Sequence, residues 1–338
     1  MSWQDAEKPL SIIVALLTIV GAIYVFYRKI EGWLFHRLKV KQITRSDDRD
    51  LEDVWSIHQN EFTEAVADEF TDLQRWLDED AQSRKTGTLQ FDEFLLCVKS
   101  SGKVLGYLFA QYYIKSQLIF LSYVAVNTTL PMAKRRESEV VIKLFRELIR
   151  LIERQNYNWR GIVGEFESQR IGRFYSHAQM LMVAFQRTLR KLRDSFDPRA
   201  ELYRICIDYR QPILRPDDLS SPAVDASYNQ WLVFLPHDHE VIIQGWEDGG
   251  RFIDRTLALD ILRFVYLDVY FDAFGDNDVY KKYLQEEFNK CAQKVPERIE
   301  VKSNWRAHEA NERDQVKEAL GLGGLSLPGV ANHAAPSR

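Results

Sequence analysis

The sequence predicts a mixed α/β domain (an α+β mixed sheet), preceded by one transmembrane helix and followed by a helical C-terminal extension. Three observations predict it. Residues 9–27 carry no charged side chain, and about 20 apolar residues suffice to cross a bilayer as a helix. Between residues 38 and 209, stretches with a two-residue apolar period alternate with stretches of helical period. Past Pro212, a loop rich in Pro, Asp and Ser leads to two short apolar runs and then two long helical ones.

The first segment divides into a short tip (1–8), the membrane helix (9–28) and a juxtamembrane stretch (29–37). Trp3 lies at one end and Tyr24, Tyr27 and Trp33 near the other, where amphipathic rings suit the membrane interface. A cleaved leader would need a basic start and small residues at its cleavage site. Instead Asp5, Glu7 and Lys8 precede the run, and Tyr24-Val-Phe-Tyr27 closes it. Arg28, Lys29, Arg37, Lys39 and Lys41 come next, so the expected orientation is a single pass through an inner or plasma membrane with the bulk of the chain cytoplasmic.

The whole chain has 338 residues, with 45 basic and 49 acidic side chains for a net charge of −4, and 46% of it is hydrophobic. That suffices for a sizeable core and gives no electrostatic reason to expect nucleic acid. Cys97, Cys206 and Cys291 are far apart, which suggests neither a disulfide framework nor a zinc site and fits a reducing compartment.

Taken in order, residues 38–44 alternate as a strand, and Ser46 with Asp47, Asp48 and Asp50 supplies a cap candidate and an acidic first turn. Leu51, Val54, Trp55, His58 and Phe62 recur at helical spacing, and a second helix is expected over residues 68–78. Residues 91–98 and 104–113 read as a hairpin around Gly102, and residues 118–126 as a third strand of the same meander. A strongly amphipathic helix starts near Lys134, buries Val141, Leu144, Phe145, Leu148, Ile149 and Ile152, and leads to a buried strand over 160–167. This strand-helix-strand unit predicts a parallel crossover. Residues 170–177 read as helix, 180–185 as either helix or strand, and 201–209 as a strand with Tyr203, Ile205 and Ile207 alternating. Strands are expected over 231–235 and 241–246, and helices over 254–274 and 276–294; the last residues, 321–338, read as an unstructured tail.

This order resembles the GNAT superfamily of acyl-coenzyme A-dependent N-acyltransferases over residues 38–211, with 212–300 as an extension and 301–338 as a polar segment and tail. Three stretches carry the resemblance: the hairpin Val98-Lys-Ser-Ser-Gly-Lys-Val-Leu-Gly-Tyr107, the strand Ser122-Tyr-Val-Ala-Val-Asn127, and Arg170-Ile-Gly-Arg-Phe-Tyr-Ser-His-Ala-Gln-Met180. In that family a glycine-containing turn opens the long helix and holds the pyrophosphate of the cofactor on its N–H groups. Here the matching stretch is Lys134-Arg-Arg-Glu-Ser-Glu-Val140; Arg135 keeps the first position, while Ser138 and Val140 replace small residues and Glu137 and Glu139 add negative charge. The cofactor turn is degenerate.

The resemblance implies acetyl-coenzyme A or another acyl-coenzyme A as donor, an amine of unspecified identity as acceptor, and no metal. It assigns Tyr175 the role of acid toward the leaving thiolate, Glu165 and Glu167 that of a base acting through water, and Val126 N–H that of a donor to the acyl carbonyl. Val124, Val126, Lys134, Arg135, Arg136 and Ser138 would hold the donor. Each has a plainer reading: Phe174 and Tyr175 as core aromatics, the two glutamates as solvated strand-end carboxylates, the basic triplet as solvated surface. Residues 187–193 form a basic segment able to touch anionic lipid or serve as a linker helix, and His237-Asp-His-Glu240 reads as a polar loop without a third metal ligand. The expected partners are the membrane, through residues 9–27, and a second copy, through the C-terminal helices. A catalytically silent GNAT-like module for sensing or assembly at the membrane is the alternative function.

Overall fold

The computed structural model describes residues 38–62, 70–86, 90–167, 201–213, 219, 230–245, 250–273 and 277–302. The expected membrane helix with its flanks, Tyr175 with the helix around it, residues 180–185, the basic segment 187–193 and the C-terminal tail lie outside the described residues. Among the described residues no helix is long and apolar enough to cross a membrane. Contacts group residues 1–301 as one unit, which holds every described element except the final residue of the last strand.

The first strand, β1 (Lys39–Ile43), is followed by α1 (Asp50–Glu61) and α2 (Phe70–Thr86). Ser46 caps neither: its hydroxyl donates to Asp78, while Asp48 accepts from the Asp50 N–H at 3.0 Å. Asp50 is itself buried, with Lys41 Nζ at 2.7 Å and Lys99 Nζ also bound. Burial alone would raise its pKa, but these two ammonium groups outweigh that and hold it below the ordinary carboxylate range.

Strands β2 (Phe91–Ser100), β3 (Lys103–Tyr113) and β4 (Leu118–Val126) form the expected antiparallel meander. The turn between β2 and β3 places Ser101 at φ 50° and Gly102 at φ 81°, two successive left-handed residues whose twist matches that of the strands. After β4 the expected single helix is two, α3 (Pro131–Arg135) and α4 (Glu137–Arg154), with a turn at Arg136. Then β5 (Gly161–Glu167) pairs in parallel with β4, so the predicted crossover is present.

The sheet does not stop at residue 211. It continues through β6 (Tyr203–Ile205), β7 (Gln230–Pro236), β8 (Ile243–Gln244), β9 (Arg251–Asp254) and β10 (Arg298–Lys302), giving ten strands in the order β1-β2-β3-β4-β5-β7-β6-β10-β9-β8. The strand expected over 201–209 is therefore only three residues long, and residues 239–241 form a 3₁₀ turn that overlaps the strand expected over 241–246. The apolar helix of the extension begins as α5 (Arg255–Arg263) behind an Asp254 cap, widens into a π-helical segment (Phe264–Val269) and ends as α6 (Tyr270–Ala273). Helix α7 (Asp278–Gln293) starts behind an Asn277 cap.

Side-chain alternation decides which helix covers which face. Tyr107 and Phe109 of β3 pack with α1 and α2, whereas Gly106 lies under Val140 of α4, so these helices are on opposite faces. Tyr113, on the same face as Tyr107, joins Phe120, Val163 and Phe264 in the core beneath the C-terminal helices. One face thus carries α1 and α2 over one half and α5–α7 over the other.

Candidate functional site

Between those two helical groups the sheet comes apart. β4 and β5 pair over four positions, Leu118↔Gly161 to Leu121↔Gly164, although β4 runs on to Val126 and β5 to Glu167. The cause lies in β4: opposite β3, Phe109 pairs with Tyr123 and Ala110 with Leu121, which leaves Ser122 as an extra residue. Such a bulge bends its strand and ends regular pairing. The Asn127 N–H donates to Leu105 O on the β3 side at 2.8 Å. Since backbone groups alternate, the N–H groups of Val124 and Val126 point the other way, into the parting.

Glu165 is the first residue of β5 beyond the last paired position. Its neighbour two residues back, Val163, faces the C-terminal helices, and so does Glu165. The residue retains some exposure, whereas its carboxylate is enclosed by Tyr209, which donates to Oε1, and by Tyr270 (2.6 Å) and Gln211 (3.3 Å), which donate to Oε2. Gln211 also reaches the Tyr270 hydroxyl at 3.0 Å. Removal from water raises the Glu165 pKa to about 7, against the pull of these three donors, which favour the charged form. A carboxyl poised there takes and releases protons near neutrality. Glu167 lies two residues further along the strand, and Tyr175 lies outside the described residues.

At the start of α4 the predicted donor-holding residues separate. Lys134 and Arg135 are exposed on α3. Arg136 is buried, and its guanidinium binds Glu139 at 3.1 Å, which offsets one of the two acidic charges of the first turn. Ser138 lies in that first turn. Val140 is wholly buried and occupies the room that Gly106 leaves above β3, so its side chain points into the core under α4. The preceding loop is held by Glu61, which accepts from the N–H (3.1 Å) and the hydroxyl of Thr128.

On the other side of β4, His58 of α1 sits among Trp55, Phe62, Tyr107 and Tyr123. Its Nδ1 lies 2.6 Å from the Tyr107 hydroxyl, and burial lowers its pKa to about 4. An apolar cavity lined by Trp55, Leu73, Trp76, Phe109 and Tyr123 adjoins the ring. His237 and His239 turn to different partners, His237 against Trp159 and His239 Nε2 to the Tyr203 hydroxyl at 3.0 Å.

Sequence reasoning singles out Glu165 but none of its three partners. A signal exists for two: Tyr209 and Gln211 extend the alternation of Tyr203, Ile205 and Ile207. Tyr270 has none, since it sits behind a π-helical segment that shifts the helical phase.

No protein-family model matches the chain, and no curated protein matches its sequence. Among solved structures it is similar to a putative acetyltransferase of the GNAT family from Desulfovibrio desulfuricans, at 10% identity and TM-score 0.36, over 59% of this chain and 96% of that one. The ribosomal-protein-S18-alanine N-acetyltransferase of Escherichia coli matches at 12% identity and TM-score 0.33, over 62% and 97%. The putative acetyltransferase yncA of Salmonella typhimurium with its cofactor acetyl-CoA matches at 14% and 0.36, over 60% and 95%.

Proposed function

We propose that this chain is a GNAT-type N-acyltransferase that moves an acyl group from an acyl-coenzyme A to an amine at the cytoplasmic face of a membrane. The observation that carries the reading is the parting of β4 from β5 with a carboxyl of near-neutral pKa at its edge. An amide-bearing thioester arm fits such a gap, because β4 beyond Leu121, unpaired on this side among the described residues, offers N–H groups to its carbonyls as a neighbouring strand would. The Val126 N–H lies on this edge and would polarise the acyl carbonyl.

The chemistry then balances simply. Glu165, as carboxylate, takes a proton through water from the acceptor ammonium; the freed amine attacks the thioester carbonyl; the C–N bond forms, the C–S bond breaks, and the thiolate leaves to be protonated. Tyr175 remains the proposed acid on the strength of the sequence resemblance. Lys134 and Arg135 would meet the phosphates of the donor as exposed cations. Membrane placement rests on the uncharged run 9–27 and the basic flank behind it.

One observation favours the silent-module alternative. Where a glycine-bearing phosphate turn is expected, the chain forms helix α3 and buries Arg136. Titration calorimetry of the detergent-solubilised full-length chain with acetyl-coenzyme A separates the two. Binding at micromolar concentration supports the enzyme, and absence of heat leaves the silent module. With a panel of primary amines as acceptors, Glu165→Gln should lower thiol release about 100-fold; an unchanged rate removes Glu165 from the base role.

A further inference from the structure

The carboxylate of Glu165 is held by residues that lie beyond the strand on which it sits. Tyr209 and Gln211 come after β6, and Tyr270 begins α6 at the end of the extension's long helix. We infer that the C-terminal extension completes the candidate active site, with Tyr270 as the positioning residue that holds the Glu165 carboxylate in one orientation on the sheet face that α5–α7 cover. The inference rests on the reading of Glu165 as the base, and it deepens that reading by making the extension part of the machinery.

The geometry comes from an irregularity in the helix. In a regular helix, three consecutive residues span most of the circumference and do not all face one core. Here Phe264, Val265 and Tyr266 are all buried in succession, at the start of a π-helical segment. The wider turn shifts the phase of α6, and Tyr270, its first residue, points its hydroxyl at Oε2. Gln211 bridges the same oxygen and the Tyr270 hydroxyl, fixing both.

The surroundings leave these contacts in charge of the proton. Among the described residues, the titratable groups facing Glu165 are phenols: Tyr209 and Tyr270 in contact, Tyr266 and Tyr280 farther off. Burial and the nearby carboxylate push all four up, so each stays protonated and Tyr209 and Tyr270 act as donors at every physiological pH. Among the described residues no cation contributes to the position of the Glu165 equilibrium. Loss of one donor therefore shifts it upward without compensation.

Isotope-edited infrared titration of the full-length chain, with labelled glutamate carboxyls and Glu165→Gln to identify the band, reads this directly. In Tyr270→Phe the Glu165 band should titrate about one pH unit higher, the size expected for one hydrogen bond to a charged group. Tyr209→Phe should shift it in the same direction. Tyr280→Phe, which removes a hydroxyl bound to Ile213 O in the same extension, should leave it in place. An unmoved band in Tyr270→Phe, or an equal shift in Tyr280→Phe, overturns the inference. Acetyl-coenzyme A calorimetry on the same samples keeps the failures apart. A shifted band with no heat in the parent protein refutes the acyltransfer reading and leaves the positioning intact.

Discussion

His58 and Glu165 are two titratable residues buried for opposite electrostatic ends. His58 has its pKa lowered from 6.5 to about 4, so the folded chain binds its proton more weakly than the unfolded chain does. Its contribution is complete above pH 6.5 and is lost as pH falls toward 4, by at most about 3 kcal/mol. Glu165, raised from 4.5 to about 7, behaves in reverse: its contribution is complete below 4.5 and is lost as pH rises through 7. The two slopes overlap and offset each other between pH 4.5 and 6.5. Urea unfolding across pH 4–8 should therefore show a shallow profile in the parent protein. In His58→Phe, stability should fall as pH rises, and in Glu165→Gln it should rise; identical profiles in all three would refute the assignment. At this scale the sequence is half legible. The helical stripe that contains His58 places it on a buried face, but its hydrogen-bond partner, Tyr107, comes from a strand 49 residues away. Glu165 stands out for its strand position, whereas its donors lie 44 to 105 residues off. Chemistry assembled from such distances leaves no local pattern.

Elements packed closely are fixed by what their residues lack. A Cβ on Gly106 would lie 2.6 Å from the backbone oxygen of Ala125 and 2.7 Å from Val140 Cγ1. The bare glycine lets α4 settle on β3, and Val140 fills the space, so a bulky residue at this position has a packing reason. Gly106→Ala should destabilise the fold by about 1–3 kcal/mol in chemical denaturation. Adding Val140→Ala should recover only part, because the carbonyl contact persists; full recovery would show that the side chain alone sets the spacing. Long periodic elements are legible: the meander, the amphipathic α4 and the parallel crossover are where alternation and helical period put them. Short or irregular ones are not. β9 has four residues, β10 offers only Ile299 and Val301 as a buried alternating pair, and the π-helical segment breaks the period on which helix reading depends.

Over the whole described molecule the sheet is one surface built from two blocks. β1–β4 form an antiparallel one, β5–β10 the other, and four parallel pairs join β4 to β5. The flanks of the join are secured by the Arg160 N–H to Gln117 O at 2.7 Å and by Tyr113 and Phe120 packing on Phe264. A sheet that continues into residues 212–302 has no local signal in the sequence, since β5 pairs with β7 rather than with β6, the nearer strand along the chain. Hydrogen exchange should find the amides of Ile162, Val163 and Gly164 less protected than those of Leu95, Leu96 and Leu108 in the meander. Equal protection would mean that the two blocks unfold as one.

The extra residue at Ser122 thus has a mechanical meaning. By ending the ladder early it turns a continuous sheet into a pair of jaws sharing a four-rung hinge, each jaw backed by its own helices. A molecule lodged between them would stitch the free edges together, so occupancy should be felt as stiffness across the whole sheet rather than as a local contact alone.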